Sequence, residues 1–234
     1  MIQVLGKRLV GIGLLASLSL LVACANSQTQ KLASKQQFSG YLSNYSDLKQ
    51  VTGAEKGVEY LRWMSPEVQS GKYTKILPKG VSFYPKMTPE QQASRQTLIE
   101  IRDYYDEAVK REYAAMGILA TEPGPGVAIA EFAITGVYIQ AEGMKAYDVV
   151  PIAAVISLTE AATGTRDRVV QLVMEGKLID SETDALLADA VYKGLGKDLP
   201  NDTAQLTLDD VKPVLDKWAA NLAATAAAVI GAAK

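Results

Sequence analysis

Apolar and polar positions fall into distinct blocks along this chain, and each block predicts an element. Leu9 to Ala23 (LVGIGLLASLSLLVA) is almost wholly apolar, and the stretch after it, ANSQTQKLASKQQ at 25–37, is polar and lacks aromatics. Phe38 to Trp63 is richer in Tyr, Leu and Ser (FSGYLSNYSDLKQ at its start), an arm whose aromatics suit packing on a domain. YTKILPKGVSFY, Tyr73 to Tyr84, predicts a strand in which Pro78 demands an edge position or a bulge. In MTPEQ, Thr88 is set to cap a helix, Pro89 fits its first position and Gln91 completes a capping box. Leu98, Ile101, Tyr105, Ala108, Glu112 and Met116 then recur at three- and four-residue steps, with Gly117 as the stop.

EPGPG, Glu122 to Gly126, breaks the chain. The apolar run GVAIAEFAITGVYIQ that follows predicts a long strand covered on both faces. A helix is expected from Ile152 to Ala162, ended by Gly164. RVVQLVMEGKLIDSETDALLADAVYKG predicts two strands joined by a tight turn at Asp180 to Asp184. A last helix is expected with Asp209 or Asp210 as cap, Pro213 in the first turn and Val211, Leu215, Trp218 and Leu222 as its apolar stripe. Its Ala-rich continuation runs toward Lys234 and favours helix throughout. Strand, helix, strand, helix, hairpin and helix make an α+β or mixed α/β sandwich: one domain, a small mixed sheet packed with two or three helices.

The N-terminal block has the layout of a secretory signal. Lys7 and Arg8 precede the apolar run, which is shorter than the ~20 residues a spanning helix needs. It ends Leu21-Val22-Ala23-Cys24, a sequence that resembles the lipobox of bacterial lipoproteins. The resemblance implies cleavage before Cys24 and acylation of its thiol with palmitate-type chains. More than one such chain on a cysteine gives stable anchoring, at about 0.8 kcal/mol per buried methylene. An ordinary cleavage site with an incidental cysteine is the alternative. No aspartate follows Cys24, so the inner-membrane retention signal of such lipoproteins is missing and the outer membrane is the expected address. The expected organisation is therefore signal peptide 1–23, tether 24–37, arm 38–72 and domain 73–234.

Several stretches lie in an order that resembles a known family. FSGYLSNYSDLK, GKYTKILPKGVSFY, EPGPGVAIAEFAITGV, GKLIDSETDALLADAV and LDKWAANL are similar to segments of the bacterial lipoprotein family called domain of unknown function 3313. The similarity runs from about Phe38 to Leu222, and PGPG leading into the AIT strand is its most specific piece. It implies secretion and the α/β architecture, with no activity to carry over. The architecture also resembles small periplasmic accessory lipoproteins that regulate or assemble envelope machinery.

Composition narrows the chemistry. The chain carries a net charge of −2, so no basic field draws nucleic acid. Histidine is absent, which removes the usual general base and the commonest metal ligand. The single cysteine excludes an internal disulfide and a cysteine-rich zinc cluster. Asp180, Glu182 and Asp184 alternate like a calcium loop, but Ala185 stands where such a loop needs glycine, so a solvated turn is expected. The prolines of PGPG remove the amides that would cradle phosphate. Ser46 and Lys49 have serine–lysine spacing, but no helix is expected there to place them. Glu131 interrupts an apolar strand and calls for a basic partner, Arg102 or another.

No cofactor, metal or catalytic set is expected. Cys24 is the expected lipid attachment point, and Tyr41, Tyr45, Tyr60 and Trp63 are the candidate binding residues, as a partner surface or as satellite core. These features describe a non-enzymatic lipoprotein anchored in the outer membrane and facing the periplasm. Its expected partners are the membrane, through the lipid, and an envelope protein or the cell wall. The competing expectation is a carboxylate-based envelope hydrolase or glycan-binding module.

Overall fold

Two segments with strand periodicity and one long apolar run dictate the sheet on which everything else rests. The structure, a computed structural model, describes residues 38–51, 59–86, 92–141, 156–157 and 167–231. The run after the proline–glycine break is β4 (Val127–Ala141), and the two strands of the expected hairpin are β6 (Arg168–Asp180) and β7 (Leu186–Leu195). β3 (Lys75–Phe83) pairs parallel to β4 at one edge, with a register shift between Pro78 and Val81, so its proline sits both at an edge and at an irregularity. On the far side, β2 (Glu59–Met64) pairs antiparallel with β7, and the short β1 (Lys49–Gln50) closes that edge. The order is β1-β2-β7-β6-β4-β3, and the two-residue β5 (Ile156–Ser157) pairs parallel with the upper part of β4. The segment read as an arm thus supplies two of the strands.

Two helices cover one face. α1 (Arg95–Ala115) begins at Ser94, whose hydroxyl accepts the backbone N–H of Thr97 at 3.0 Å. The expected cap, Thr88, lies outside the described residues, and the helix opens later than MTPEQ implied. The buried face of α1 is Leu98, Ile101, Tyr105, Ala108, Val109 and Tyr113, while Met116 is exposed. Met116 lies five whole turns beyond Leu98, on the same azimuth, but as the C-cap it stands past the last helical residue, Ala115, and is exposed there. Gly117 stops the helix at a φ of 70°, as expected.

α2 (Leu208–Gly231) holds Val211, Leu215 and Trp218 in the core as expected. Its start differs in detail. Thr207 precedes it and donates its backbone N–H to the Asp210 carboxylate at 2.9 Å, so Asp210 closes a capping box rather than serving as the cap. Gly194 lets this helix lie against β7, since a Cβ there would stand 2.5 Å from Val214 and 2.9 Å from Trp218. The expected helix at 152–162 is not what the described part shows. Ile156–Ser157 is extended and paired to β4, and the rest of that segment lies outside the described residues. The architecture is a single α+β domain of one mixed sheet and two helices. Among the described residues no helix is long and apolar enough to cross a membrane.

Candidate functional site

Strand alternation sends neighbouring side chains of the sheet to opposite faces. The helix face collects Ile76, Ala130, Phe132, Leu172, Met174, Leu187 and Tyr192 into the main core with α1 and α2. The other face carries a smaller cluster, Phe38, Leu42, Leu61 and Val191, with Tyr41, Tyr45, Leu48 and Val173 packed against it. Residues 38–48 cover this second face.

Charges run across the second face in register. Glu131 of β4 pairs opposite Lys177 of β6, and Lys177 opposite Asp189 of β7, with Trp63 of β2 next in the row. The Lys177 ammonium lies 3.0 Å from the Glu131 carboxylate. Lys177, not Arg102, is therefore the partner of Glu131; Arg102 pairs with its neighbour Asp103. Glu175 lies two residues before Lys177, and both Glu175 and Asp189 are buried, at 1% and 3% exposure.

The N-terminal segment satisfies these charges. The Tyr45 hydroxyl donates to Glu175 at 2.6 Å and accepts the backbone N–H groups of Gly40 and Leu42, each at 3.0 Å. The Ser39 N–H donates to the other Glu175 oxygen at 3.3 Å. Phe38 stacks on Tyr45 with ring centroids 4.2 Å apart. The Tyr41 ring stands 5.3 Å from the Lys177 ammonium and meets Tyr84 edge-on. Burial pushes the Tyr41 phenol up to about 12, with Glu131, Glu175 and Asp189 adding to it. Burial and the bond to Glu175 hold Tyr45 at about 12 as well. Desolvation lifts the Asp189 carboxyl to about 6, against the pull of Lys177 and with a further push from Glu175. The result is a row of alternating charge beneath a tyrosine-rich cover, an arrangement suited to holding the cover down.

Trp63, Tyr41 and Tyr45 thus share one face with the charged row. Tyr60 does not: it stacks on Tyr192 with centroids 4.5 Å apart, on the helix side. Cys24 lies outside the described residues. Sequence reasoning passed over Glu175, Lys177 and Asp189. Their signal was present, since Glu175 and Lys177 stand two apart in an otherwise apolar strand and so share a face.

The hairpin turn is solvated from Glu182 to Ala185 as expected, but its first residue is not. Asp180 is 2% exposed, and one carboxylate oxygen accepts both the Lys72 ammonium and the Tyr73 hydroxyl at 2.6 Å. The other accepts the backbone N–H groups of Glu182 and Thr183 at 2.9 Å. Those donors hold the Asp180 carboxyl far below the usual carboxylate range, with the Lys72 bond contributing most. Ser181 ties to Gly124, so turn and proline–glycine break are fastened together. Gly126, at a φ of 75°, passes so close to Lys72 that a Cβ would lie 3.2 Å from its carbonyl. The Ser46 hydroxyl donates to Asn44 in a local turn, and Lys49 lies on β1. Among the described residues no three His, Cys, Asp or Glu side chains are placed to hold a metal ion.

The helix face contains a half-enclosed cavity of about 80 Å³ between the sheet and the last turns of α2. Tyr60, Arg62, Phe132 and Ala190 belong to its sheet wall, and Ala226 and Val229 to its helix wall.

A family model described as protein of unknown function, DUF3313, matches residues 37–222. The chain belongs to that family. It is also 37% identical, over 88% of its own length and 90% of the relative's, to "Uncharacterized lipoprotein YdcL" of Escherichia coli strain K12. The same figures hold for the YdcL of Escherichia coli O157:H7. Among solved structures, the PelC dodecamer of Paraburkholderia phytofirmans is 14% identical, with a TM-score of 0.34 over 74% of this chain and 96% of that one. That likeness is too distant to speak for assembly or ligand. The family relation establishes a lipoprotein family of unknown function, and with it a membrane-anchored envelope protein as the plausible setting.

Proposed function

We propose that this protein is a non-enzymatic accessory lipoprotein, anchored through Cys24 in the outer membrane and facing the periplasm, where it presents its domain to an envelope protein or the cell wall. The observation that carries the reading is the lone cysteine directly behind Leu21-Val22-Ala23, in a chain whose relatives are lipoproteins. The missing aspartate after Cys24 supports the outer membrane as address. The buried acids support a structural role: Asp180 is saturated by donors, Glu175 is held by Tyr45, and Glu131 is paired with Lys177.

A hydrolase would need two carboxylates flanking an accessible bond. Among the described carboxyl groups Asp189 alone has the raised pKa of a general acid, and it lies beneath the N-terminal cover rather than facing a cleft. Cell fractionation of Cys24→Ala tests the anchor: the variant should leave the outer-membrane fraction, and its retention there at the wild-type level would refute the attachment. Crosslinking in living cells then tests the interaction, with a discrete protein or peptidoglycan adduct expected. Turnover of a glycan by the purified full chain, abolished by Asp189→Asn, would overturn the non-enzymatic reading.

A further inference from the structure

Residues 38–48 lie over the second face of the sheet without joining it; β1 begins only at Lys49. Their hold on the sheet is of two kinds. Phe38 and Leu42 are buried in the small cluster with Leu61 and Val191, and the hydrogen bonds from Ser39 and Tyr45 converge on one carboxylate, that of Glu175. Ser43, Asn44, Ser46 and Asp47 are exposed. A segment with so few anchors opens locally more readily than the helix face unfolds.

The acids beneath this strap are not equally provided for. Glu131 has the Lys177 ammonium at 3.0 Å, and Glu175 has the Tyr45 hydroxyl at 2.6 Å and the Ser39 amide at 3.3 Å. Asp189 is 3% exposed, and among the described residues no donor lies in bonding range of its carboxyl. Lys177 of β6 and Trp63 of β2 stand directly opposite it, Glu175 lies diagonally, and Tyr41 of the strap is close enough to sense its charge. Lys193 shares the face four residues further along β7, roughly 13 Å away by strand rise. Lys177 is committed to Glu131, so an ionised Asp189 sets three negative charges around one ammonium.

Closed, the strap keeps water from a carboxyl that nothing else satisfies, and so favours its neutral form. Open, it returns water to that carboxyl and restores its ordinary acidity. Closure is therefore coupled to uptake of a proton. The proton is held more tightly in the closed state, so closure is favoured in mild acid and weakens as pH rises through about 6.

We propose that residues 38–48 are a pH-gated strap, shut over Glu175 and Asp189 while Asp189 holds its proton and released as the surroundings turn from mildly acidic to neutral. Release bares Glu131, Glu175 and Asp189 together. This device goes beyond the anchor and partner reading above, and its test does not depend on the state of Cys24.

Hydrogen exchange of the full chain tests it, read by mass spectrometry between about pH 5 and pH 7.5 and corrected for the intrinsic change of rate with pH. The amides of Gly40 and Leu42, which donate to the Tyr45 hydroxyl, report on the strap, and those of α1 on the helix face. Strap protection should fall about tenfold over that range, the ratio set by carboxyl values of about 6 closed and 3.8 open. The strap should also exchange well ahead of α1 throughout. Asp189→Asn keeps the shape of the carboxyl but cannot ionise, and should hold the acid-side protection at every pH; Asp189→Val serves if that variant fails to fold. Strap protection that does not change with pH, or a change that persists in a folded neutral variant, would overturn the proposal. So would strap and α1 exchanging together at every pH.

Discussion

The two faces of the sheet are built on opposite physical terms. On the helix face, Trp218 lies buried against Tyr105 and Tyr192, with centroids 6.4 and 6.1 Å away, and burial of apolar surface holds the layers together. On the covered face, a small apolar cluster shares its space with Glu131, Glu175, Lys177 and Asp189, and tyrosines complete their pairing. Same strands, alternate residues, different forces. The difference teaches where each layer is vulnerable: the helix face to loss of volume, the covered face to loss of a partner or a proton.

The largest effect should come from volume. Trp218→Ala removes a fully buried side chain and should cost about 4 kcal/mol in urea unfolding. A loss below about 1 kcal/mol would show that the helix face is not the principal core.

The next effect separates the faces by pH. The Asp189 carboxyl is raised from the ordinary 3.8 to about 6, so the folded state holds its proton more tightly than the unfolded chain does. Its contribution is therefore present below pH ~4 and lost as pH rises through 6, up to about 3 kcal/mol in all. Asp180 works in the opposite sense. Its lowered carboxyl stabilises above the ordinary carboxylate range and that contribution fades on acidification. Denaturant melts between pH 4 and 7 should show the Asp189 decline, and Asp189→Asn should flatten it. An unchanged slope in the variant would remove Asp189 as its source.

The smallest effect is the most local. Tyr45→Phe deletes the bond to Glu175 and should cost about 1.5 kcal/mol. Hydrogen exchange should quicken at the amides of Gly40 and Leu42 while α1 keeps its protection. Equal acceleration in α1 would mean that the two faces unfold as one unit.

What was legible in the sequence follows the same division. β4 announced itself as a long, mostly apolar run after a proline–glycine break, and Pro78 declared its edge because a missing N–H has few places to go. The Val211, Leu215, Trp218 and Leu222 stripe was equally plain, since period and packing agree over three turns. The start of α1 was not, because Ser94 caps it six residues after the more conspicuous Thr88 and Pro89 signal, which lies outside the described residues. The expected basic partner of Glu131 depends on strand register, a property of the assembled sheet, and register supplies Lys177 rather than Arg102. The buried role of Asp180 likewise needed Lys72 and Tyr73 brought in from another part of the chain. The cavity belongs to neither wall alone; Ala130, Gly176, Ala188 and Ala190 leave space on the sheet that the facing end of α2 does not fill.

The chain enters its body at Phe38, stacked on Tyr45, which grips Glu175 in the middle of β6. Tension applied through the preceding residues thus meets a short hydrogen bond and two stacked rings before it reaches any helix. Were the attachment proposed at Cys24 to load the domain, the pull would act first on this segment, and lifting it would uncover the charged row beneath.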